Sequence, residues 1–461
     1  MYFAQYYLDC LSQASYIVGD EKTGKAVVVD PRRDVEEYLD EAKQHGLDIV
    51  GVINTHFHAD FVSGHIELAK ETGAWIGYGQ AAQADFEVRS LSDGERIELG
   101  DVVLEIMETP GHTPESISVL VYEHKDDKVP YGVLTGDALF IGDVGRPDLL
   151  ASIGVTADEL GKMLYDSVQN KLMSLPDETR VFPAHGAGSA CGKNLSTETQ
   201  STIGEQRKFN YACQPMTEEQ FVEVVTAGQP PAPEYFLYNA VLNRKERETH
   251  EVGKTLPALS PDQVTKALAE GAKVIDARDH SEFAAGHLKG AINVPVDGRM
   301  AETVGMVVKP EDKVVLMAPE GEEQEAAIRL VRIGYDNAVG FIPRPEAYLI
   351  DHCLEEQVVH ASRLMPKQLE EAEAQGEVQL VDIRNAGEVE GSGVIPGAVN
   401  IPLAQLARRA GELDPEKPTV LYCAGGWRSS VGGSLLRHLG FKDVSDILGG
   451  YGAWEATHAP A

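Results

Sequence analysis

Basic residues are scarce in this chain: 40 lysines and arginines stand against 73 aspartates and glutamates, for a formal net charge of −33. So acidic a surface repels polyanions, which argues against nucleic acid or an anionic membrane as a partner. Cysteine is scarce too. Cys10, Cys191, Cys213, Cys353 and Cys423 fall at irregular spacing and make neither a disulfide framework nor a CxxC pair, so a reducing compartment suits them. No apolar run approaches the ~18 residues that a membrane span needs. The opening Met1-Tyr2-Phe3-Ala4-Gln5-Tyr6-Tyr7 lacks the basic and apolar regions of a signal peptide, and a cytosolic location is expected.

What is present is concentrated in short motifs. Leu47 to Ile53 reads as a buried strand, and Thr55-His56-Phe57-His58-Ala59-Asp60-Phe61 follows at its end, where an α/β protein usually holds its chemistry. Alternation along an extended segment sends His56, His58 and Asp60 to one side. Similar strand-then-turn settings recur at Thr109-Pro110-Gly111-His112-Thr113, Thr135-Gly136-Asp137 and Phe182-Pro183-Ala184-His185-Gly186. Any one of these histidines alone would read as a satisfied core or surface residue. The full set in this order reads as a metal site.

These motifs resemble those of the metallo-β-lactamase superfamily, which carries H-x-H-x-D-H, then G-H-T, then G-D and a late His. Phe61 stands where the hydrolases of that superfamily place the His of a second metal. The branch with that preference for a single metal is the persulfide dioxygenases. That resemblance implies one Fe(II) per chain, held by His56, His112 and Asp137. Two imidazoles and one carboxylate leave positions open for substrate and O₂ together. His58, Asp60 and His185 then orient the ligands or touch substrate. Arg146, in Gly142-Asp143-Val144-Gly145-Arg146-Pro147-Asp148-Leu149, is either a clamp for a carboxylate of the thiol or a structural partner of Asp148 or Asp143. Cys191, in the small-residue loop after His185, is a sulfur acceptor or a buried small hydrophobe.

A second motif lies near the other end. Val420-Leu421-Tyr422-Cys423-Ala424-Gly425-Gly426-Trp427-Arg428-Ser429-Ser430 runs from an apolar strand through small residues into a predicted helix over Val431 to Leu439. Such a loop curls backbone N–H groups round one point, and the helix N-terminus adds positive potential there. Both favour a thiolate nucleophile at Cys423 and would stabilise a terminal persulfide anion. The stretch resembles the active loop of rhodanese sulfurtransferases. That resemblance assigns catalysis to Cys423 and Arg428, with Ala424, Gly425, Gly426, Trp427 and Ser429 as the persulfide cradle. Asp382-Ile383-Arg384 with Glu388, and Ile395 to Pro402, agree with the same family.

Asp276-Ala277-Arg278 with Glu282, and Gly286 to Pro295, repeat that pattern. The offset is 106 residues from Asp276 to Asp382 and 107 from Pro295 to Pro402, so two tandem copies are present. In the first copy Ala318 takes the position of Cys423, and Glu320, Glu322 and Glu323 replace the small residues. A loop with three carboxylates repels a sulfur anion, so this copy reads as a catalytically dead spacer or docking domain.

The expected architecture is α/β: a metallo-β-lactamase αββα sandwich over residues 1–209, an extension over 210–256 packing on it, a rhodanese-like domain without the nucleophile over 257–355, and an active rhodanese domain over 362–461. For 461 residues a prior near 150 per domain gives about three. Lys208 to Tyr211 and Tyr235 to Tyr238 are the expected aromatic anchors of the extension, and Cys213 is a candidate sulfur relay.

Across its length the chain resembles persulfide dioxygenase–sulfurtransferase fusions. That implies oxidation of a low-molecular-weight thiol persulfide by O₂ to sulfite, coupled to thiosulfate formation at Cys423, in a homo-oligomeric dimer or tetramer. Glutathione, bacillithiol and coenzyme A all remain open as the thiol. The alternatives are a zinc hydrolase of thioesters of the glyoxalase II type, recruiting His58, Asp60 and His185, and a sulfur-carrier scaffold with a vestigial metal site.

Overall fold

The computed structural model describes residues 1–149, 154–193, 195–376 and 378–458. It forms two compact units: Met1–Gln229 with Phe236–Lys254, and Pro230–Tyr235 with Thr255–Ala461. Among the described residues no helix is long and apolar enough to cross a membrane.

The first unit contains two six-stranded sheets. Strict alternation along the strands explains why they stack. Tyr16, Val18, Val27, Val29 and Ile53 of one sheet meet Leu104, Ile106, Val119, Val121, Leu134 and Phe182 of the other in a single core. The intervening Ile17, Val28 and Val52 face outward and are covered by Tyr38 and Ala42 of helix Glu36–Gln44 and Leu68 of helix His65–Thr72. On the far side, Leu120, Val133 and Val181 are covered by Leu164, Phe221 and Val225 from helices Ala157–Tyr165 and Glu218–Thr226. The result is an αββα sandwich whose inner strands are apolar on both faces, which is why they read as continuous hydrophobic runs.

The extension divides between the units. Phe236–Lys254 belongs with the sandwich. Pro230–Tyr235 belongs to the second unit, where the Tyr235 ring occupies the space a Cβ on Gly305 would need. Of the expected anchors, Tyr235 and Phe236 are buried and Tyr211 packs on the sandwich core, whereas Leu237, Tyr238 and Phe209 are exposed; Asn243 and Arg247 add polar contacts of the segment with the sandwich.

The second unit holds two parallel sheets. One runs in the order Ile292–Asn293, Lys273–Asp276, Val314–Met317, Ala338–Ile342, and the other Ser362–Leu364, Val444–Ile447, Thr419–Tyr422, Gln379–Asp382, Val399–Asn400. Each copy buries an Asp–Arg pair two residues apart, Asp276 with Arg278 and Asp382 with Arg384. Helix Trp427–His438 rests on the first copy: Ser430 Oγ donates to Asn293 Oδ1 at 2.7 Å, and the Asn293 N–H donates to Ser434 Oγ at 2.9 Å. The first copy therefore supports the helix that follows the Cys423 loop.

Candidate functional site

Asp30 closes strand Lys25–Val29 in a left-handed conformation, φ 52°. It accepts the Thr55 N–H at 2.7 Å and the Thr55 hydroxyl at 2.8 Å, and lies 2.9 Å from His58 Nε2. Thr55 Oγ1 in turn meets His56 Nδ1 at 3.0 Å, which leaves His56 Nε2 pointing into the site without a partner. His112 is oriented in the same way, with Nδ1 2.9 Å from the Arg146 carbonyl and Nε2 3.4 Å from Asp137 Oδ2. His56 Nε2 is 3.7 Å from the same oxygen, which has no hydrogen-bond partner. One ligand atom from each of His56, His112 and Asp137 lies within 4.8 Å of the others, and all three residues are buried.

His185 bridges two carboxylates, with Nδ1 2.7 Å from Asp137 Oδ1 and Nε2 2.7 Å from Asp60 Oδ2. Burial alone would raise the Asp137 carboxyl, but the facing His185 and His56 rings hold it far below the usual carboxylate range. For His185 burial works against charge, yet Asp137 and Asp60 pull the ring well above its ordinary value. His56 is pushed well down by burial and then by His58, and His112 is lowered by burial. Two neutral imidazoles and one ionised carboxylate are the protonation states a divalent metal requires.

Phe61 is fully buried, its ring 4.4 Å from that of His58. A second group, Asp60, His185 and Cys191, also brings its ligand atoms within 4.8 Å of one another. Burial pushes the Cys191 thiol well up, and Asp60 and Asp137 add to the effect. Cys213 lies in the apolar core with Leu172 and Phe221, and burial pushes its thiol up to about 12.

Of the two uses open to Arg146, the fold shows the internal one: Nε is 2.7 Å from Asp148 Oδ1, Nη2 is 2.8 Å from Asp148 Oδ2, and Nη1 donates to the Ala190 carbonyl at 3.2 Å. Gly145 beside it has no room for a side chain, since a Cβ would lie 2.0 Å from the Asp137 carbonyl and 2.9 Å from His112 Nδ1. Asp30 and Asn243 were missed by motif reading. The only trace of Asp30 is its place before Pro31 at a strand end.

In the second unit, Cys423 follows strand Thr419–Tyr422 and is buried. The Gly426 N–H donates to its Sγ at 3.1 Å, and Gly426 adopts φ 98° to do so. Arg428 forms a two-pronged pair with Glu388, both contacts at 2.7 Å, and Trp427 Nε1 donates to Asp297 at 3.2 Å. Ala424 and Gly425 are exposed at the mouth of the loop. In the first copy Ala318 is buried at the matching place, with Glu320 and Glu322 exposed beyond it.

Residues 8–185 match the family model of the metallo-β-lactamase superfamily, and residues 260–343 and 365–457 match that of the rhodanese-like domain. The persulfide dioxygenase ETHE1 of Bos taurus is 30% identical over 228 residues, covering 48% of this chain and 78% of that protein. This chain belongs to the metallo-β-lactamase superfamily. It joins a metallo-β-lactamase domain related to the persulfide dioxygenases to two rhodanese-like domains. A metallo-β-lactamase of Staphylococcus aureus subsp. aureus COL, known from its crystal structure, is 32% identical, covering 74% of this chain and 99% of that one with a TM-score of 0.67. A hydroxyacylglutathione hydrolase of Nostoc punctiforme is 30% identical over 201 residues, 42% of this chain and 72% of that protein.

Proposed function

We propose that the metallo-β-lactamase domain oxidises the terminal sulfur of a low-molecular-weight thiol persulfide with O₂ and water, giving sulfite and free thiol, and that Cys423 joins sulfur from a second persulfide to that sulfite as thiosulfate. The observation that carries the reading is the convergence of the unpartnered His56 Nε2 and Asp137 Oδ2 with His112 Nε2, beside a buried Phe61. The donor set fits one Fe(II) per chain, held by His56, His112 and Asp137, and activation of O₂ next to a bound substrate is the chemistry such an ion supplies. Phe61 offers no ligand atom, which favours one ion over two.

The remaining work falls to the chain. Thr55 and the Arg146 carbonyl fix the tautomers of His56 and His112 so that both Nε2 lone pairs face inward. His185, kept charged by Asp60, and His56 hold Asp137 ionised. At the other site the Cys423 thiolate attacks the outer sulfur of a persulfide, the S–S bond breaks, and thiol departs to leave a persulfide on Cys423. Sulfite then attacks that outer sulfur, forming thiosulfate and returning the thiolate. Gly426, Ser429 and Arg428 surround the sulfur that carries charge at each stage. The reactants are all small, so the reading calls for neither nucleic acid nor membrane. It suits a cytoplasmic homo-oligomer in sulfide detoxification.

Cys423→Ser should leave persulfide-dependent O₂ uptake intact while sulfite accumulates and thiosulfate falls; unchanged thiosulfate would refute the coupling. Asp137→Ala should lose both iron and O₂ uptake, and undiminished uptake would refute the metal assignment. A second reading, a zinc-dependent thioester hydrolase, draws on the Asp60–His185–Cys191 group as a place for a second ion. Two zinc ions per chain and hydrolysis of a lactoylglutathione-like thioester without O₂ uptake would decide for it.

A further inference from the structure

Several of the charged groups packed round Cys423 form ion pairs, and one pair has no part in the sulfur transfer described above. Arg363 on strand Ser362–Leu364 and Asp446 on strand Val444–Ile447 are direct register partners in adjacent parallel strands. Arg363 Nε is 3.0 Å from Asp446 Oδ1 and Nη2 is 2.9 Å from Asp446 Oδ2, with both side chains under a tenth exposed. The same carboxylate oxygen lies 3.1 Å from Ser429 Oγ, and Ser429 Oγ lies 3.8 Å from Cys423 Sγ. Arg363 Nη2 also reaches the Gly426 carbonyl at 3.5 Å, on the residue whose N–H donates to the thiol. An unbroken chain thus runs Arg363, Asp446, Ser429, Cys423.

A lone carboxylate so near a sulfur anion would oppose it in a medium of low dielectric. Of the other charges nearby, Arg428 pairs with Glu388 of helix Ala386–Ser392 and Arg384 pairs with Asp382, while Arg437 of helix Trp427–His438, whose Nη1 donates to the Val444 carbonyl at 3.0 Å, also faces Asp446. The Ser429 hydroxyl has one proton and two acceptors within reach, Asp446 Oδ2 and the Gly426 carbonyl at 3.1 Å, while its oxygen accepts from the Cys423 thiol; a sulfur anion on Cys423 becomes a third acceptor. A carboxylate balanced by a guanidinium competes less strongly for that proton than a lone one would.

We propose that Arg363 and Asp446 are a charge-balanced positioning pair that acts through Ser429 to set the charge state of sulfur on Cys423. Neither touches the reacting sulfur. The inference rests on Cys423 being the sulfur carrier.

The test is the pH profile of iodoacetamide alkylation at Cys423, followed by peptide mass spectrometry on the full chain. Arg363→Met leaves Asp446 with only Arg437 as a counter-charge and should move the midpoint up by about half a pH unit or more. Asp446→Asn leaves Arg363 unopposed and should move it down, while the double variant should return close to the unsubstituted chain. Arg363→Lys keeps the charge and should keep the profile. A purely structural pair would move both single variants the same way, and that result overturns the proposal, as does an unmoved midpoint. Should Arg363→Met fail to fold, Asp446→Asn decides alone: a downward shift supports the pair, and an upward or absent shift overturns it. These shifts would stand even if Cys423→Ser left thiosulfate unchanged, so the two readings fail separately.

Discussion

The Asn243 side-chain amide donates to the backbone carbonyl of His58 at 2.8 Å, across 185 residues of sequence. It also donates to the Phe61 carbonyl at 2.8 Å and accepts the Ser63 N–H at 2.9 Å, so one buried side chain pins the loop that carries His56. Asn243→Ala leaves two carbonyls and one N–H unpaired in the interior. A loss of about 2 kcal/mol is expected, from the desolvation of such orphaned groups. Denaturant unfolding of the full chain would check the stability, and iron content after dialysis would check the loop.

Asp30→Asn separates charge from shape. Asn tolerates the left-handed backbone that Asp30 adopts, and the amide can still accept from Thr55. What disappears is the charge facing His58 and the Thr55 hydroxyl. Metal affinity should drop by roughly 10–100-fold, as for other residues that orient metal ligands, with little change in unfolding. Competition with a calibrated chelator reads the affinity.

Gly145→Ala places a methyl 2.0 Å from the Asp137 carbonyl, closer than any real contact. The backbone on either side must shift, and Asp137 and His112 shift with it. Bound iron should fall well below one per chain while alkylation of Cys423 is unchanged. Full iron occupancy in this variant would show that the loop gives way elsewhere.

Glu67 is buried with Arg33 at 3.0 Å and Arg247 at 2.5 Å. Burial opposes its ionisation, but the Arg247 and Arg33 guanidinium groups outweigh it and hold the carboxyl at about 2. A carboxyl depressed in the folded state stabilises it fully above the unfolded value and loses that contribution as pH falls. The window runs from about 4.5 down to about 2 and corresponds to about 3 kcal/mol. Glu67→Gln should flatten the acid limb of the stability curve over that window; an unchanged slope would contradict the assignment.

Sequence alone determined whatever depends on residues close together in the chain. The strand-end histidines, the Gly136-Asp137 turn, the Cys423 loop and the tandem copies were all legible, because ligand spacing and loop curvature are set by a few neighbouring dihedral angles. The absence of a ligand atom at Phe61 needed no fold at all. Tertiary structure decided the partners. Arg146 reads from sequence as a substrate clamp or an internal partner, and only the folded loop brings Asp148 within 2.7 Å of it. Asp30 carried no motif, and its role follows from strands Lys25–Val29 and Asp48–Ile53 ending side by side in parallel register. Asn243 and the Arg363–Asp446 pair were equally silent. Their contacts cross tens to hundreds of residues and exist only where buried polar groups, cut off from water, had to find partners that packing placed within reach.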